Sequence, residues 1–76
     1  MNLEKIIQRL KDNDPALTEL DLSNNKIGSL KAIAIAMALK KNTKLKKLDL
    51  RNNKIGSLGA IALLKNKNKE LTLFVD

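Results

Sequence analysis

One segment of this chain occurs twice, at positions 28 residues apart. The stretch LTELDLSNNKIGSLKAIA, from Leu17 to Ala34, aligns with LKKLDLRNNKIGSLGAIA, from Leu45 to Ala62, and fourteen of the eighteen aligned positions are identical. A repeat with this period is typical of a solenoid, in which supersecondary units stack and bury their apolar faces against one another. The repeat therefore predicts an architecture, and it gives no direct indication of function.

The composition limits the chemistry that the chain can perform. The sequence contains neither cysteine nor histidine, which excludes disulfides, cysteine zinc sites and histidine general bases. The longest apolar stretch, from Ala32 to Leu39, is half alanine and falls short of the roughly 18 residues that a membrane span requires. No basic region followed by an apolar one marks a signal peptide, so we expect a cytoplasmic protein if the chain is natural, and the location is unknown if it is a recombinant design. The motifs of the chain indicate no cofactor.

The net positive charge of the chain comes entirely from its second half. Residues 1–39 contain five basic and five acidic residues, whereas residues 40–76 contain ten basic and three acidic ones and carry the entire net charge of +7. Such asymmetry can mark a surface for nucleic acid or for an acidic partner, but a lysine surface that only keeps the protein soluble is the simpler interpretation. Phe74 is the only aromatic residue and no nucleic-acid motif is present, so we expect weak electrostatic binding at most.

The apolar spacing predicts three helices. The first covers residues 2–12, with Asn2 as its N-cap, and ends at Asn13-Asp14-Pro15. The second covers residues 29–41, and the third runs from Ser57 to about Lys65. The buried face of the second helix is expected to consist of Leu30, Ile33, Ala34, Met37, Ala38 and Leu39.

Each repeat also contains a short strand with leucines at alternate positions, Leu20 and Leu22 in the first and Leu48 and Leu50 in the second. A third strand is expected within residues 71–75. The residues expected to form the core are Leu20, Leu22, Ile27, Ile33, Leu39, Leu48, Leu50, Ile55 and Ile61. We expect Asn25 and Asn53 to bond backbone groups where the chain bends after each strand.

The pattern LxxLxLxxNxI with a helix in each unit resembles the leucine-rich repeat family, and the unit length is similar to that of its ribonuclease-inhibitor-like class. The resemblance implies an α/β fold: a short right-handed β-α solenoid with about three parallel strands and three helices. We divide the single domain into a helical N-terminal cap (residues 1–16), repeat 1 (17–44), repeat 2 (45–70) and a terminal strand (71–76).

Residues 3–47 are also similar to the leucine-rich repeat domain of tropomodulin and leiomodin, which cap actin filaments at their pointed ends. Asn13-Asp14-Pro15, Leu30-Lys31-Ala32 and the stretch from Ala38 to Thr43 carry this similarity. That domain has more repeats and a C-terminal helix, so no actin contact is assigned to a residue here. The near-identity of the two repeats fits either a recent duplication or a designed consensus sequence. The absence of cysteine and histidine favours the designed origin, since ribonuclease-inhibitor-like repeats often carry cysteine.

Because leucine-rich repeat proteins bind other proteins on their concave strands, the outward-facing strand residues are the candidate interaction surface. They are Glu19, Asp21, Ser23, Lys47, Asp49 and Arg51. Asp21 and Asp49 occupy the same repeat position and should lie roughly 5 Å apart on adjacent strands. We interpret them as a solvated structural pair rather than as an acid/base or cation site. The serines have no histidine partner, so the sequence does not support nucleophilic catalysis.

The terminal strand is the candidate self-association segment, through Leu71, Leu73, Phe74 and Val75. If the repeat spacing continues, Phe74 replaces Leu48 in the core and exposes Leu73 and Val75; the alternative register buries those two and exposes Phe74. Either register leaves an apolar group on an uncapped strand, which favours a homodimer or larger assembly. We therefore expect a non-catalytic scaffold that binds protein, including itself, and no membrane, small-molecule substrate or specific nucleic acid.

Overall fold

A computed structural model of the chain describes all residues from Met1 to Asp76. Helices and strands alternate in the order α1 (Leu3–Lys11), β1 (Glu19–Asp21), α2 (Gly28–Leu39), β2 (Lys47–Asp49), α3 (Gly56–Asn66) and β3 (Thr72–Phe74). The three strands form one parallel sheet in the order β1-β2-β3. The predicted α/β solenoid with three helices and three parallel strands is confirmed. None of the helices combines the length and the apolar character that crossing a bilayer requires.

The N-terminal helix closes one end of the solenoid. The Asn2 side chain caps α1 by accepting a hydrogen bond from the Lys5 N–H at 3.1 Å. Leu10 is fully buried in the core, and α1 ends at Asn13, whose φ of 52° is left-handed as expected for that residue. The Asn13 side chain then bonds to Thr43, both to its N–H (2.9 Å) and to its hydroxyl (3.0 Å). These contacts tie the cap to the first repeat.

The turn after each strand is built around an asparagine. Asn53 is 1% exposed, and its Oδ1 accepts from the N–H groups of Asn25 (2.7 Å) and Ile27 (3.2 Å) in the preceding repeat. Its Nδ2 donates to the carbonyl groups of Leu22 and Leu50, both at 2.9 Å. The predicted bonding of backbone groups by this amide is confirmed, and the side chain also joins the two units. Asn25 holds the equivalent place in the first unit but is exposed.

The core lies between the sheet and the helices. Of the nine residues expected there, Leu22, Ile27, Leu39, Leu48, Leu50 and Ile55 are buried, whereas Leu20 and Ile33 are half-buried. Ile61 is 59% exposed, so its predicted burial is wrong. Its repeat equivalent, Ile33, is half-buried on α2, which packs against α3, whereas no helix packs on the far side of α3.

The predicted buried face of α2 is also wrong in part. Leu30 is 82% exposed and Met37 is 68% exposed. The residues that pack inward are Ala32, Ile35, Ala36, Ala38 and Leu39. Apolar residues occupy nearly every side of this helix, so two different stripes both show helical spacing. Contacts with the sheet and with α3 select the stripe that carries the alanines.

Candidate functional site

The concave face of the sheet carries the six predicted interaction residues on and just beyond β1 and β2. Strand pairing places Glu19 beside Lys47 and Asp21 beside Asp49. Five of the six residues are exposed or half-buried, but Asp49 is only 8% exposed. The prediction that Asp49 faces solvent is therefore wrong, because the Arg51 side chain forms an ion pair across it.

The two aspartates hold the same local turn with different partners. Asp21 Oδ1 accepts from the Ser23 N–H (3.0 Å) and from its hydroxyl (2.6 Å). Asp49 Oδ1 accepts from the Arg51 N–H and from its Nε, both at 3.0 Å, while Oδ2 accepts from Nη2 at 2.7 Å. Each carboxylate thus pins the backbone two residues ahead, which is a common way for aspartate to stabilise a turn.

These hydrogen bonds lower the pKa of both carboxyl groups. The Ser23 hydroxyl lowers the pKa of Asp21, and the Ser23 N–H lowers it further. The Arg51 side chain lowers the pKa of Asp49 to about 2, with help from the Arg51 N–H. A general acid or base at neutral pH needs a pKa near 7. Neither carboxyl group has the raised pKa that such a role requires, which favours the structural interpretation of the pair.

The concave face offers a shallow, charged surface rather than an enclosed pocket. An open depression of about 350 Å³ lies between β1 and β2, lined by Glu19, Leu20, Asp21, Lys47 and Asp49. No three acidic side chains converge there or elsewhere to hold a metal ion. The alternating charges that line this depression suit the side chains of a peptide or of a protein surface better than a buried small molecule.

The register of β3 follows the second of the two alternatives. Leu73 lies beside Leu48 and Phe74 beside Asp49, so the continuation of the repeat spacing is wrong for this strand. In the second repeat the Lys46 and Lys47 N–H groups both donate to Thr18 O, at 2.7 and 3.2 Å. This shared acceptor accommodates one extra residue between Leu45 and Leu48. β3 lacks that residue, because Leu71 and Leu73 are only two positions apart.

This register adds Phe74 to the concave surface, a residue that the sequence analysis did not assign to it. The Arg51 guanidinium carbon lies 5.0 Å from the centre of the Phe74 ring, and Lys47 Nζ lies 5.7 Å from it. Both distances are within the range of a cation–π contact. The spacing of Leu71 and Leu73 was the sequence signal that would have placed Phe74 here.

Of the four self-association candidates, Leu71 is 3% exposed and belongs to the core, whereas Leu73, Phe74 and Val75 are half-buried. The Thr72 N–H donates to Lys46 O, and Phe74 O accepts from the Leu50 N–H. Alternate residues of a strand direct their backbone groups to opposite sides, so those of Leu73 point to the open edge of the sheet.

Comparisons with known proteins agree with this architecture. A family model described as "Leucine Rich repeats (2 copies)" matches residues 15–72. The solved structure "Leiomodin-1 Actin-Binding Site 2 (ABS2)" aligns with 100% of this chain at a TM-score of 0.63 and 23% sequence identity, and this chain spans 63% of the length of that one. No curated protein sequence matches the chain. Since the family model covers most of its length, the chain belongs to the leucine-rich repeat family.

Proposed function

We propose that this chain is a non-catalytic protein-interaction scaffold that pairs with a second copy of itself through its C-terminal end. We define the C-terminal end as the open edge of β3, the turn 52–56 and the outer side of α3. The leucine-rich repeat fold supports the general role, since such repeats build surfaces for protein partners. The observation that carries the specific proposal is the set of unpartnered backbone donors in the turn.

These donors are identified by comparison with the first repeat. There, the N–H groups of Asn25 and Ile27 donate to Asn53 Oδ1, and the Gly28 N–H donates to Asn53 O at 2.9 Å. The equivalent N–H groups, those of Asn53, Ile55 and Gly56, have no acceptor within the chain. Asn53 and Ile55 are buried, whereas Gly56 is exposed. Backbone donors of buried residues are almost always satisfied in native proteins, so the N–H groups of Asn53 and Ile55 are suited to acceptors from another molecule.

The outer side of α3, which forms part of the C-terminal end, is apolar and uncovered. Ala60, Ile61 and Leu64 are the repeat equivalents of Ala32, Ile33 and Ala36. Ala32 and Ala36 are fully buried between α2 and α3, whereas Ile61 is 59% and Leu64 57% exposed. The same helix side that forms the contact between units is therefore uncovered at the end of the chain, where it carries larger apolar side chains.

A two-fold dimer fits this end better than head-to-tail stacking. Stacking would place the apolar side of α3 against α1 of the next copy, whose exposed residues include Glu4, Lys5, Gln8 and Arg9. A two-fold axis instead pairs β3 with β3 in antiparallel fashion and packs Ile61 and Leu64 against their own copies. Such an interface closes on itself and does not propagate into a filament.

The small size of this end implies a weak dimer. β3 has three residues, and the apolar contribution of α3 comes mainly from two side chains. A standard stable interface buries about 800 Å² on each partner, which this end does not reach. We therefore expect a dissociation constant of about 10⁻⁴ M, corresponding to roughly 5–6 kcal/mol.

Sedimentation equilibrium tests the proposal. The mass should rise from the monomer value of 8.4 kDa towards that of a dimer as concentration increases, over the range from about 10 μM to about 1 mM that brackets the expected constant. Leu64→Lys should abolish the rise, because it places two charges in the apolar contact. Leu30→Lys is the matched control: Leu30 is more exposed and lies on α2, away from the C-terminal end.

Two outcomes would count against the dimer. One is a parent protein that stays monomeric throughout the series, and the other is an equal effect of Leu30→Lys and Leu64→Lys. Both positions are exposed, so both variants should keep the helical circular dichroism of the parent. A failure of the dimer would leave the general role as a protein-interaction scaffold unaffected.

Binding at the pointed end of actin filaments is the second candidate function. The similarity of residues 3–47 to tropomodulin and leiomodin supports it, as does the structural similarity to an actin-binding site of leiomodin-1. A pointed-end elongation assay tests it: slower elongation in the presence of the chain is expected, and an unchanged rate would reject actin capping. The near-identity of the repeats supports a consensus-engineered origin, for which a generic scaffold remains our preferred function.

A further inference from the structure

The convex side of the molecule carries an apolar face that the dimer does not use. We define the outer helical face as Leu30, Ile33 and Met37 of α2 together with Leu58 of α3. Leu30, Met37 and Leu58 are 82%, 68% and 73% exposed, and Ile33 is half-buried in the seam between the helices. Apart from Met1, the remaining large exposed apolar side chains are Ile61 and Leu64, at the C-terminal end.

All charges on α2 and α3 are positive, although Glu4 of α1 lines a depression together with Lys31 on the other side of α2. No acidic residue occurs between Asp21 and Asp49 or between Asp49 and Glu70. The lysines that precede, follow or lie on α2 and α3 are Lys26, Lys31, Lys40, Lys41, Lys54, Lys65 and Lys67. None of these seven forms a salt bridge within the chain. Lys65 holds the repeat position of Met37, so one cation lies at the C-terminal end of the face itself.

We propose that the outer helical face binds an amphipathic helix of a partner protein, with an apolar stripe and an acidic surround. Leu30, Ile33 and Met37 lie at positions i, i+3 and i+7 of α2, and together they span about 10 Å along the helix axis. A partner helix of three to four turns would cover this length and bring its flanking carboxylates to the lysines. This is the helix-in-groove mode of recognition, with charge complementarity setting the choice of partner.

The packing of α2 against α3 provides the seam for such a helix. Gly59 of α3 lies against α2, where an added Cβ would be 3.1 Å from Ala32 Cβ and 3.6 Å from Ser29 Cα. The absence of a side chain at Gly59 lets the two helices approach closely. Leu30 and Leu58 hold equivalent positions on the two helices, and the small Ala34 and Ala62 lie beside them, which gives a third helix ridges and grooves to pack into.

Two other occupants fit the face less well. A second copy would bring the lysines of α2 and α3 against one another, since neither helix carries a carboxylate. An anionic membrane would be attracted by the lysines, but interfacial binding usually relies on aromatic residues, and the single aromatic, Phe74, lies on the concave side beneath Arg51. We therefore commit to a protein helix and treat the membrane as an outcome of the test.

The probe is a fluorescein-labelled synthetic peptide of about 18 residues, with leucines at helical spacing and glutamates elsewhere. Fluorescence anisotropy should show micromolar binding that weakens as salt increases. A peptide with lysine in place of every glutamate is the charge control and should not bind. Leu58→Ser should weaken binding of the acidic peptide about tenfold, which corresponds to ~1.4 kcal/mol.

Matched variants separate this face from the other surfaces. Lys65→Glu should weaken binding about as much as Leu58→Ser, whereas Lys47→Glu makes the same charge change on the concave strand and should leave binding unchanged. Leu64→Lys, which disrupts the proposed dimer, should also leave it unchanged, so the two proposals can fail separately. The substituted side chains are exposed, and thermal melts should match the parent.

Four results would overturn the inference. Three concern the peptides: no saturable binding of the acidic peptide, equal binding of the lysine peptide, and equal losses of binding from Lys47→Glu and Lys65→Glu. The fourth is tighter association with vesicles of phosphatidylcholine and phosphatidylserine than with the acidic peptide. That result would assign the face to an anionic lipid surface instead.

Discussion

The backbone N–H of Asn25 donates to the side-chain oxygen of Asn53 at 2.7 Å, although the two asparagines hold the same position in successive repeats. Asn53 of the second repeat thus provides the acceptor for the turn of the first repeat. An asparagine in a third repeat would provide the acceptor for the turn of the second repeat. Asn53 satisfies two donors and three carbonyl groups while it is 1% exposed. Equivalent residues in a repeat can therefore have unequal importance.

Replacing Asn53 should be far more costly than replacing Asn25. Asn53→Ala leaves the N–H groups of Asn25 and Ile27 without their acceptor, so we expect it to lower the free energy of unfolding by about 2–4 kcal/mol. Asn25→Ala removes one hydrogen bond from an exposed side chain to Ser23 O and should cost less than about 1 kcal/mol. Urea denaturation of the two variants measures the difference. Equal costs would contradict the bridging role of Asn53.

The central strand should be the part of the core that is most sensitive to truncation. Leu48 is fully buried between the two neighbouring strands, whereas Leu20 on β1 is half-buried. Leu48→Ala should lower the free energy of unfolding by roughly 2–5 kcal/mol through lost contacts and a cavity. For a domain of this size, that is comparable with the total stability.

Thermal melts of Leu48→Ala and Leu20→Ala test this order. The Leu20 variant should melt closer to the parent, because its side chain loses less buried surface. A Leu48→Ala protein that melts like the parent would contradict the observed strand register.

Acid should destabilise the fold in part through Asp49. The Arg51 side chain lowers the pKa of Asp49 to about 2 in the folded chain, below the value of about 3.9 for an unfolded aspartate. A depressed pKa stabilises the folded state above the unfolded value, and this stabilisation is lost as the pH falls from about 5 towards 2. The free energy of unfolding, measured by urea denaturation at several pH values, should fall over that window.

Asp49→Asn is the test of that assignment. The variant should be less stable at pH 7 and should lose less stability between about pH 5 and pH 2, because one titrating group has been removed. Some slope should remain, since the pKa values of Asp14, Asp21 and Glu70 are also lowered by hydrogen bonds from Arg9, Ser23 and Lys46. An unchanged slope would show that Asp49 does not contribute to the pH dependence.

The positive charge should give only weak binding to nucleic acid. Lys47 and Arg51 lie above the single aromatic ring, so the chain presents no exposed platform for base stacking. We expect a dissociation constant no tighter than about 10⁻⁴ M for DNA or RNA at physiological salt, and a steep loss of binding as salt increases. Gel shifts across a salt series measure both. A micromolar, sequence-selective complex would contradict the scaffold proposal.

The repeat was sufficient to predict the helices, the strands and the role of Asn53, because position in a repeat determines strand pairing and turn chemistry. It was not sufficient for Ile61 or Phe74. Ile61 is exposed because the end unit has no following helix, and a repeat alignment treats every unit as internal. Phe74 faces the concave side because one residue is missing between Leu71 and Leu73, and a single deletion reverses the faces of a strand.

Gly59 and Lys31 hold the same repeat position, and the structure explains why they differ. An added Cβ at Gly59 would collide with the Ile55 side chain and lie 3.1 Å from Ala32 Cβ, whereas Lys31 is exposed. Alanine is favoured over glycine in helices by about 1 kcal/mol, but overpacking typically costs about 1–3 kcal/mol. We expect the collision to dominate, so Gly59→Ala should lower the melting temperature while Lys31→Ala leaves it nearly unchanged. Differential scanning calorimetry of this matched pair would decide the point, because a Gly59→Ala protein more stable than the parent is incompatible with such close packing of α2 against α3.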